Sequence, residues 1–235
     1  MSFIVILSGG LDSAVSAFAL SKENRQARGK ALFFDYGQKA AKREKSAAKA
    51  IAKALSLDLE CLDLAFLKKL THTALVMNDQ VVPQIKMEKL DSRSETEKSA
   101  QAVWVPNRNG LFLNIAACYA EALGIGKIAV GFNAEEAMTF PDNSANFVAR
   151  AESFFALSTL KGLEVVAPTI GLNKREIVQK AKELGVPLDK VWSCYLGGSK
   201  RCGTCESCLR SIRAFHQAGL WQELKAGYAA SPFSV

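Results

Sequence analysis

Short apolar runs alternate with longer amphipathic stretches along most of the 235-residue chain. The short runs predict β-strands, and the stretches with an apolar residue at every third or fourth position predict helices. The predicted strands are residues 3–7, 30–34, 59–64, 127–131 and 164–167. The predicted helices are residues 11–22, 40–55, 110–123, 145–160 and 173–184. This alternation indicates an α/β fold, a Rossmann-like parallel five-stranded sheet with helices on both faces.

Residues 76–103 interrupt the alternation, because the part from Asp79 to Ser99 is mostly polar. A loop of this length in a compact domain is typically a functional lid or a mobile segment. The alternative is a surface excursion with a short helix of its own.

The first predicted strand runs directly into Ser-Gly-Gly-Leu-Asp-Ser at positions 8–13, where a helical pattern begins. Such a turn can cradle an anion, because glycines let backbone N–H groups approach a phosphate and the helix N-terminus adds positive potential. Ser8 and Ser13 add hydroxyl donors, and Asp12 can hold Mg²⁺ or a backbone amide. The segment lacks the lysine of the P-loop and the glycine spacing of the dinucleotide fingerprint. We therefore expect a phosphate site of another kind, with an ordinary strand-to-helix turn as the alternative.

Four of the six cysteines cluster near the C-terminus with the spacing C-x7-C-x2-C-x2-C. They are Cys194, Cys202, Cys205 and Cys208. In a chain without a signal peptide, this spacing favours a metal over disulfides, and four thiolates suit one closed, structural Zn²⁺ site. A redox pair or an iron–sulfur cluster is the alternative. Cys61 and Cys118 lie in strand and helix patterns, so we expect small core residues there.

This cluster also suggests how the chain is divided. We expect a nucleotide-binding α/β domain at residues 1–190 and a small zinc-binding helical module, packed on it, at residues 191–235. No apolar run approaches the roughly 20 residues that cross a bilayer, and no signal peptide is visible. We therefore expect a soluble, cytoplasmic protein with no membrane partner.

The net charge of +7 suits either nucleic acid or an anionic small molecule such as ATP. Much of the positive charge lies along the predicted helix at 40–55, at Lys39, Lys42, Arg43, Lys45, Lys49 and Lys53. A basic face on an amphipathic helix is usually only solvated. Nucleic acid is therefore not the expected partner.

Five motifs occur in order along the chain. They are Ser-Gly-Gly-Leu-Asp-Ser at 8–13, Asp-Tyr-Gly-Gln at 35–38, Val-Pro-Asn-Arg-Asn at 105–109, Phe-Pro-Asp at 140–142 and Trp-Ser-Cys-Tyr at 192–195. The first resembles the pyrophosphate loop of the N-type ATP pyrophosphatases. The whole set, together with the cysteine cluster, resembles the 7-cyano-7-deazaguanine synthase family. The resemblance extends from Ser8 to about Phe215.

The resemblance implies the N-type ATP pyrophosphatase fold and an enzyme of queuosine precursor biosynthesis. Members of that family convert 7-carboxy-7-deazaguanine and ammonia to the nitrile. The carboxylate is adenylated, ammonia gives an amide, and a second ATP activates the amide oxygen, so that AMP and pyrophosphate are released. The resemblance also implies Mg²⁺ with the ATP, a structural zinc ion and a homodimer.

The resemblance also carries site residues onto this chain. For ATP they are Leu7, Ser8, Gly9, Gly10, Leu11, Asp12, Ser13, Phe34, Asp35, Tyr36, Gln38 and Arg108. For the deazaguanine substrate they are Arg108, Asn109, Glu136, Phe140 and Asp142. The expected catalytic residues are Asp12, Ser13 and Lys174, with Lys174 meeting the α-phosphate. No general base stands out, because His72 and His216 are isolated.

The chain departs from the family pattern near the expected substrate pocket. Most members read Gly-Tyr-Pro-Asp-Cys-Arg-x-Glu-Phe after the fourth strand, where positions 139–147 here read Thr-Phe-Pro-Asp-Asn-Ser-Ala-Asn-Phe. Glu136 replaces an aspartate, Asn107 stands where glycine is common, and Ala40 or Ala41 replaces a histidine. We expect a variant branch with the same substrate. The alternatives are another N-type ATP pyrophosphatase, such as a tRNA-modifying thiolase or lysidine-forming enzyme, and a non-catalytic nucleotide-binding zinc module.

Overall fold

A sheet of five parallel strands forms the centre of the protein, in a computed structural model that describes residues 2–23 and 29–233. The strands are β1 (Ile4–Ile6), β2 (Lys30–Asp35), β3 (Asp58–Asp63), β4 (Lys127–Ala129) and β5 (Glu164–Val166). Their order across the sheet is β3-β2-β1-β4-β5. Because β1 pairs with both β2 and β4, the strand order reverses there, and the carboxyl ends of these strands frame a crevice.

Nine α-helices are present in the described part of the chain. They are α1 (Leu11–Glu23), α2 (Ala41–Ala54), α3 (Arg93–Val103), α4 (Arg108–Ala122), α5 (Ala134–Ala137), α6 (Ala145–Ser158), α7 (Lys174–Leu184), α8 (Glu206–Gln217) and α9 (Trp221–Leu224). The predicted α/β fold is confirmed. Each predicted strand and helix is present, with ends that shift by a few residues.

Alternate residues of the first strand face opposite sides of the sheet, as the two-residue period of a strand requires. Phe3, Val5 and Leu7 belong to a buried cluster that they form with α1, α2, α7 and α8. Ile4 belongs to a second buried cluster, which α4 and α6 cover. Since both faces are covered, a ligand can reach the sheet only where the strands end.

The polar segment at 76–103 is the surface excursion with a helix of its own. It contains a short 3₁₀ turn at Met87–Lys89 followed by α3. Leu90 is buried, and Gln84 forms an isolated antiparallel bridge with Cys205. The segment therefore packs against the cysteine-rich part of the chain.

The C-terminal segment shares its core with the sheet. Cys194, Cys205 and Phe215 lie in the same buried cluster as Phe3. The boundary expected between residues 190 and 191 stays a prediction. None of the helices among the described residues has the length and hydrophobicity that crossing a bilayer requires.

One of the two isolated cysteines differs from expectation. Cys61 on β3 is half-buried and packs against the core, but Cys118 on α4 is exposed. The buried face of α4 is formed by Phe112, Leu113, Ala116, Ala117 and Ala120. Cys118 lies on the opposite side of this helix, so the expectation of a core residue was wrong there.

Candidate active site

A cleft with a volume of about 210 Å³ opens where β1, β2 and β4 end. The predicted site residues that line it are Leu7, Ser8, Gly10, Asp12, Ser13, Phe34, Tyr36, Gln38, Arg108, Asn109, Glu136 and Lys174. Gly9, Leu11, Asp35, Phe140 and Asp142 are also described, but they are not part of its lining. The structure thus gathers most of the predicted residues around one cavity, and their roles stay predictions.

The loop between β1 and α1 presents free hydrogen-bond donors to the cleft. The first hydrogen bond of α1 runs from the N–H of Ala14 to the carbonyl of Gly10 at 3.0 Å, so the N–H groups of the first turn have no partner within the helix. The hydroxyls of Ser8 and Ser13 lie 3.0 Å apart. Donors of this kind at a helix N-terminus are suited to bind an anion.

Gly9 lies on the side of this loop that packs against α2, so it does not line the cleft. Its φ of +80° favours glycine, and a Cβ there would lie 2.4 Å from the backbone oxygen of Glu44. Gly131, just after β4, is equally restricted, because its Cβ would lie 2.4 Å from the nitrogen of Ser13. The loop therefore packs closely between α2 and the end of β4.

Lys174 is held between two carboxylates at the bottom of the cleft. Its Nζ donates to Oδ2 of Asp12 at 2.5 Å and to Oε1 of Glu136 at 2.8 Å, and the residue is only 8% exposed. Burial by itself lowers the pKa of Lys174, but the two carboxylates raise it well above its ordinary value. The buried ammonium therefore stays charged at neutral pH.

The two carboxylate oxygens of Asp12 differ, because Oδ2 is bonded to Lys174 and Oδ1 is not. Burial raises the pKa of Asp12, and the ammonium of Lys174 acts against this. Among the described residues, Oδ1 of Asp12 is buried without a hydrogen-bond partner. An unpaired buried carboxylate oxygen is costly, so this atom is suited to hold a ligand.

Arg108 forms the opposite wall together with aromatic rings. Its Nη1 donates to the hydroxyl of Tyr36 at 2.9 Å, and Phe112 stacks on Phe34 with ring centroids 4.2 Å apart. In the described part of the chain, no carboxylate forms an ion pair with Arg108. Its positive charge is therefore available to a carboxylate or phosphate in the cleft.

Asn107, the residue before Arg108, has an unusual backbone conformation. Asn107 adopts a left-handed conformation with φ of +50°, immediately before α4 begins at Arg108. Asparagine tolerates this region better than most residues other than glycine. The replacement of the family's glycine by asparagine is therefore compatible with the same backbone.

Three of the residues outside the lining have other contacts. Oδ1 of Asp35 accepts a hydrogen bond from the N–H of Gly37 at 3.1 Å, so this carboxylate shapes the turn after β2. Phe140 stacks on Trp104 with centroids 6.0 Å apart. Asp142 accepts a hydrogen bond from the side chain of its neighbour Asn143 at 3.1 Å.

Several residues of the cleft were missed in the sequence. Trp192, Ser193, Tyr195 and Ser207 form one wall, and Glu44 reaches the cleft from α2. The N–H of Trp192 donates to the carbonyl of Gly9 at 2.8 Å, which ties this wall to the loop between β1 and α1. Trp192, Ser193 and Tyr195 belong to the motif at 192–195 that carried the resemblance, but no role in the cleft was predicted for them.

The four clustered cysteines are arranged to hold a metal ion. Their sulfur atoms all lie within 4.8 Å of one another, and those of Cys202 and Cys208 are 3.7 Å apart. Backbone N–H groups of Leu196 and Cys202 each approach the sulfur of Cys194 at 3.3 Å. Such donors stabilise thiolate charge, as a metal site requires.

Comparison with known proteins identifies the family. The family model described as "Queuosine biosynthesis protein QueC" matches residues 2–219. The chain belongs to this family. The 7-cyano-7-deazaguanine synthase of Pelotomaculum thermopropionicum is 51% identical over 223 residues, which cover 95% of this chain and 100% of that protein. The protein of the same name from Methanosarcina mazei is 45% identical over 94% of this chain and 96% of its own length.

A solved structure shares the fold. A 4-thiouridine synthetase, in complex with RNA and with bound ATP, matches with a TM-score of 0.50 and 20% sequence identity. The match covers 96% of this chain and 52% of that chain. At this identity the likeness concerns the fold alone.

Proposed function

We propose that the chain catalyses the ATP-dependent conversion of 7-carboxy-7-deazaguanine and ammonia to 7-cyano-7-deazaguanine, with release of AMP and pyrophosphate. Membership of the QueC family and the name of the relatives support this reaction. The observation that carries the proposal is the cleft in which Asp12, Lys174 and the first turn of α1 meet.

The phosphate groups of ATP would bind along this side of the cleft. The free N–H groups and hydroxyls of the loop would hold the departing pyrophosphate, and the charged Lys174 would meet the α-phosphate. Such preorganised charge stabilises a transition state where negative charge develops. It therefore favours attack at the α-phosphorus, with AMP and pyrophosphate as the products.

Asp12 fits the magnesium ion that accompanies ATP. Its Oδ1 is buried and unpaired among the described residues, and Mg²⁺ prefers carboxylate oxygens. We propose that this oxygen holds the ion while Oδ2 stays with Lys174. Bound there, Mg²⁺ would offset the charge of the phosphates.

The deazaguanine substrate would bind on the opposite side. The free guanidinium of Arg108 suits its carboxylate, and the Phe34–Phe112 stack offers an apolar wall for its ring. Asn109 and Glu136 also line the cleft and would add polar contacts. Because Phe140 and Asp142 are not part of the lining, we propose that they support this wall from outside.

The cysteine cluster fits a structural zinc ion. Zn–S bonds of about 2.3 Å in a tetrahedron put the sulfur atoms about 3.8 Å apart, close to the 3.7 Å between Cys202 and Cys208. Cys194, Cys202, Cys205 and Cys208 would be its ligands. With four protein ligands the site has no open position, so the ion would stabilise the wall formed by residues 192–208.

Two further expectations remain proposals. We propose a homodimer, which the exposed apolar side chains of Phe154, Leu157 and Leu160 support, because they lie together at the end of α6. The cytoplasmic location also stays a prediction.

The test is to incubate the purified protein with ATP, Mg²⁺, ammonium and 7-carboxy-7-deazaguanine, and to follow the products by mass spectrometry. We expect the amide first and then the nitrile, with about two AMP released for each nitrile formed. The Pelotomaculum relative serves as the matched control. Release of ADP and orthophosphate would contradict the proposal, and an ATP-dependent modification of added tRNA would favour the thiolase or lysidine alternative.

A further inference from the structure

Glu44 presents a free carboxylate oxygen to the cleft. It lies in the first turn of α2, and its Oε2 accepts a hydrogen bond from Nε2 of Gln38 at 2.8 Å. Gln38 is itself fixed, because its Oε1 accepts from the N–H of Tyr36 at 2.9 Å and its Nε2 also donates to the carbonyl of Phe34. The second oxygen of Glu44 has no hydrogen bond among the described residues.

Glu44 is placed in the cleft by the packing of α2 against the loop between β1 and α1. The backbone of Glu44 packs against Gly9 so closely that a Cβ on the glycine would lie 2.4 Å from the glutamate's carbonyl oxygen. Its side chain lines the same cleft as Asp12 and Lys174. In a cleft of about 210 Å³, reactants held by the loop and by Arg108 would lie within reach of this carboxylate.

The surroundings of Glu44 suit a group that gains and loses a proton near neutral pH. Burial raises the pKa of Glu44 to about 7, against the hydrogen bond from Gln38 and the positive charge of Arg108. Asp35 adds a like charge that also raises it. The neutral hydroxyl of Tyr36 also faces this carboxyl. A carboxyl of this kind is suited to general acid–base work.

The proposed reaction requires such a group, and the inference rests on that proposed function. When ammonia attacks the adenylated carboxylate, its lone pair forms the C–N bond and one N–H proton must leave. The C–O bond then breaks, and AMP departs with the electron pair. The amide oxygen is adenylated next, with loss of pyrophosphate. The nitrogen then loses its last two protons, the second as its electron pair completes the C≡N bond and AMP leaves.

We propose that Glu44 is the general base of this reaction, and that its free carboxylate oxygen takes the N–H protons of the reacting nitrogen. It would accept one proton at a time and release each to water before the next step. The first step, adenylation of the substrate carboxylate, moves no proton and does not involve Glu44. This difference between the steps makes the role testable.

The test compares wild-type protein with Glu44→Gln, which keeps the shape of the side chain and an acceptor for Gln38. With 7-carboxy-7-deazaguanine and no ammonium, single-turnover release of pyrophosphate should stay within about 3-fold of wild type. Formation of the amide should fall by about 10²-fold or more, and so should conversion of added 7-amido-7-deazaguanine to the nitrile. With added 7-amido-7-deazaguanine, a step that needs no ammonia, the rise in the wild-type rate of nitrile formation through about pH 7 should disappear in the variant.

Two further variants and a melting curve complete the design. Glu44→Asp should recover part of the lost rate, and Glu183→Gln, an exposed change on α7, should leave both steps unchanged. Thermal unfolding would check that each variant is folded. A Glu44→Gln protein with a wild-type amide rate, or with only a raised KM, would overturn the inference, since a raised KM alone indicates recognition of the substrate. A wild-type protein that releases no pyrophosphate with this substrate would instead overturn the proposed function.

Discussion

The cleft and the cysteine cluster are built in opposite ways. The four sulfur atoms come from 15 consecutive residues, 194–208, and lie close to one another and to backbone N–H groups. The cleft takes its charged groups from α1, α2, α4, α5 and α7, and it leaves oxygens of Asp12 and Glu44 without partners in the described part of the chain. One ion would complete the cluster, whereas the cleft is complete only with its reactants. Changes in the cluster should therefore act on stability, and changes in the cleft on chemistry.

The two regions are nevertheless in direct contact. The backbone N–H of Trp192 donates to the carbonyl of Gly9 in the loop between β1 and α1, while its indole N–H donates to the carbonyl of Cys194 at 3.1 Å. On the other side, Arg210 of α8 forms an ion pair with Glu135 at 2.7 Å, and Glu135 accepts from the backbone N–H of Lys174 at 2.8 Å. Residues within and next to the cluster thus contact one wall of the cleft and the start of α7, which carries the buried Lys174.

The largest effect is expected from Cys208→Ser, which removes one ligand of the cluster. Structural zinc sites contribute roughly 10 kcal/mol or more to folding in isolated zinc peptides, so a site that loses a ligand should lose most of its metal and much stability. Elemental analysis and thermal unfolding would measure both. Cys118→Ser, at an exposed cysteine on α4, is the matched control and should change neither. A Cys208→Ser protein with full metal content and an unchanged melting temperature would show that the cluster does not act as a metal site.

In the cleft, Asp12→Ala should abolish chemistry while leaving the metal content intact. Removing the carboxylate that pairs with Lys174, and that we propose to hold Mg²⁺, should lower AMP release by about 10³-fold, or about 4 kcal/mol of transition-state stabilisation. Single-turnover AMP release would measure the loss. Asp79→Ala makes the same chemical change at an exposed site and should have no effect. Normal turnover by Asp12→Ala would remove this carboxylate from the mechanism.

The contact between the regions predicts a third effect. Arg210→Ala would leave the carboxylate of Glu206 without its arginine and Glu135 with the longer pair to Arg213 at 3.5 Å, and the side chains of the two glutamates are only 9% and 19% exposed. Breaking a buried ion pair in this way should lower the free energy of unfolding by about 3 kcal/mol, without loss of metal. Urea unfolding of Arg210→Ala, Glu135→Ala and the double variant would give the coupling energy. Additive effects would mean that this pair does not link the two regions.

The same contrast explains what could be predicted from the sequence. The strand, loop and helix at positions 3–22 and the four cysteines are local patterns, so spacing alone indicated them. Lys174 lies 162 positions from Asp12, and only the resemblance to a family suggested that the two belong together. Their contact depends on the order of the strands, which a local pattern does not reveal.

Glu44 was missed for a related reason. It lies between Arg43 and Lys45 on a helix whose charges read as a solvated basic face. The first turn of that helix instead packs on the loop between β1 and α1, because Gly9 permits the close approach. Adjacent residues can likewise differ in their position relative to the cleft. Asn143 lines it, whereas Asp142 does not.

The smallest predicted effect is on the pH dependence of the free energy of unfolding, and it tests whether burial of the Glu44 carboxylate in the cleft destabilises the protein. Burial raises the pKa of Glu44 from 4.5 to about 7, so the folded protein binds this proton more tightly than the unfolded chain. The stabilisation that the folded protein gains from this tighter proton binding is therefore fully present below about pH 4.5 and is lost as the pH rises through about 7. Glu44→Gln removes this dependence, and its stability relative to wild type should be on the order of 2 kcal/mol more favourable at pH 8 than at pH 5. Urea unfolding at the two pH values would measure the difference, with Glu183→Gln as the control. An equal difference at both pH values would mean that the carboxyl titrates normally and that the cleft does not bury its charge.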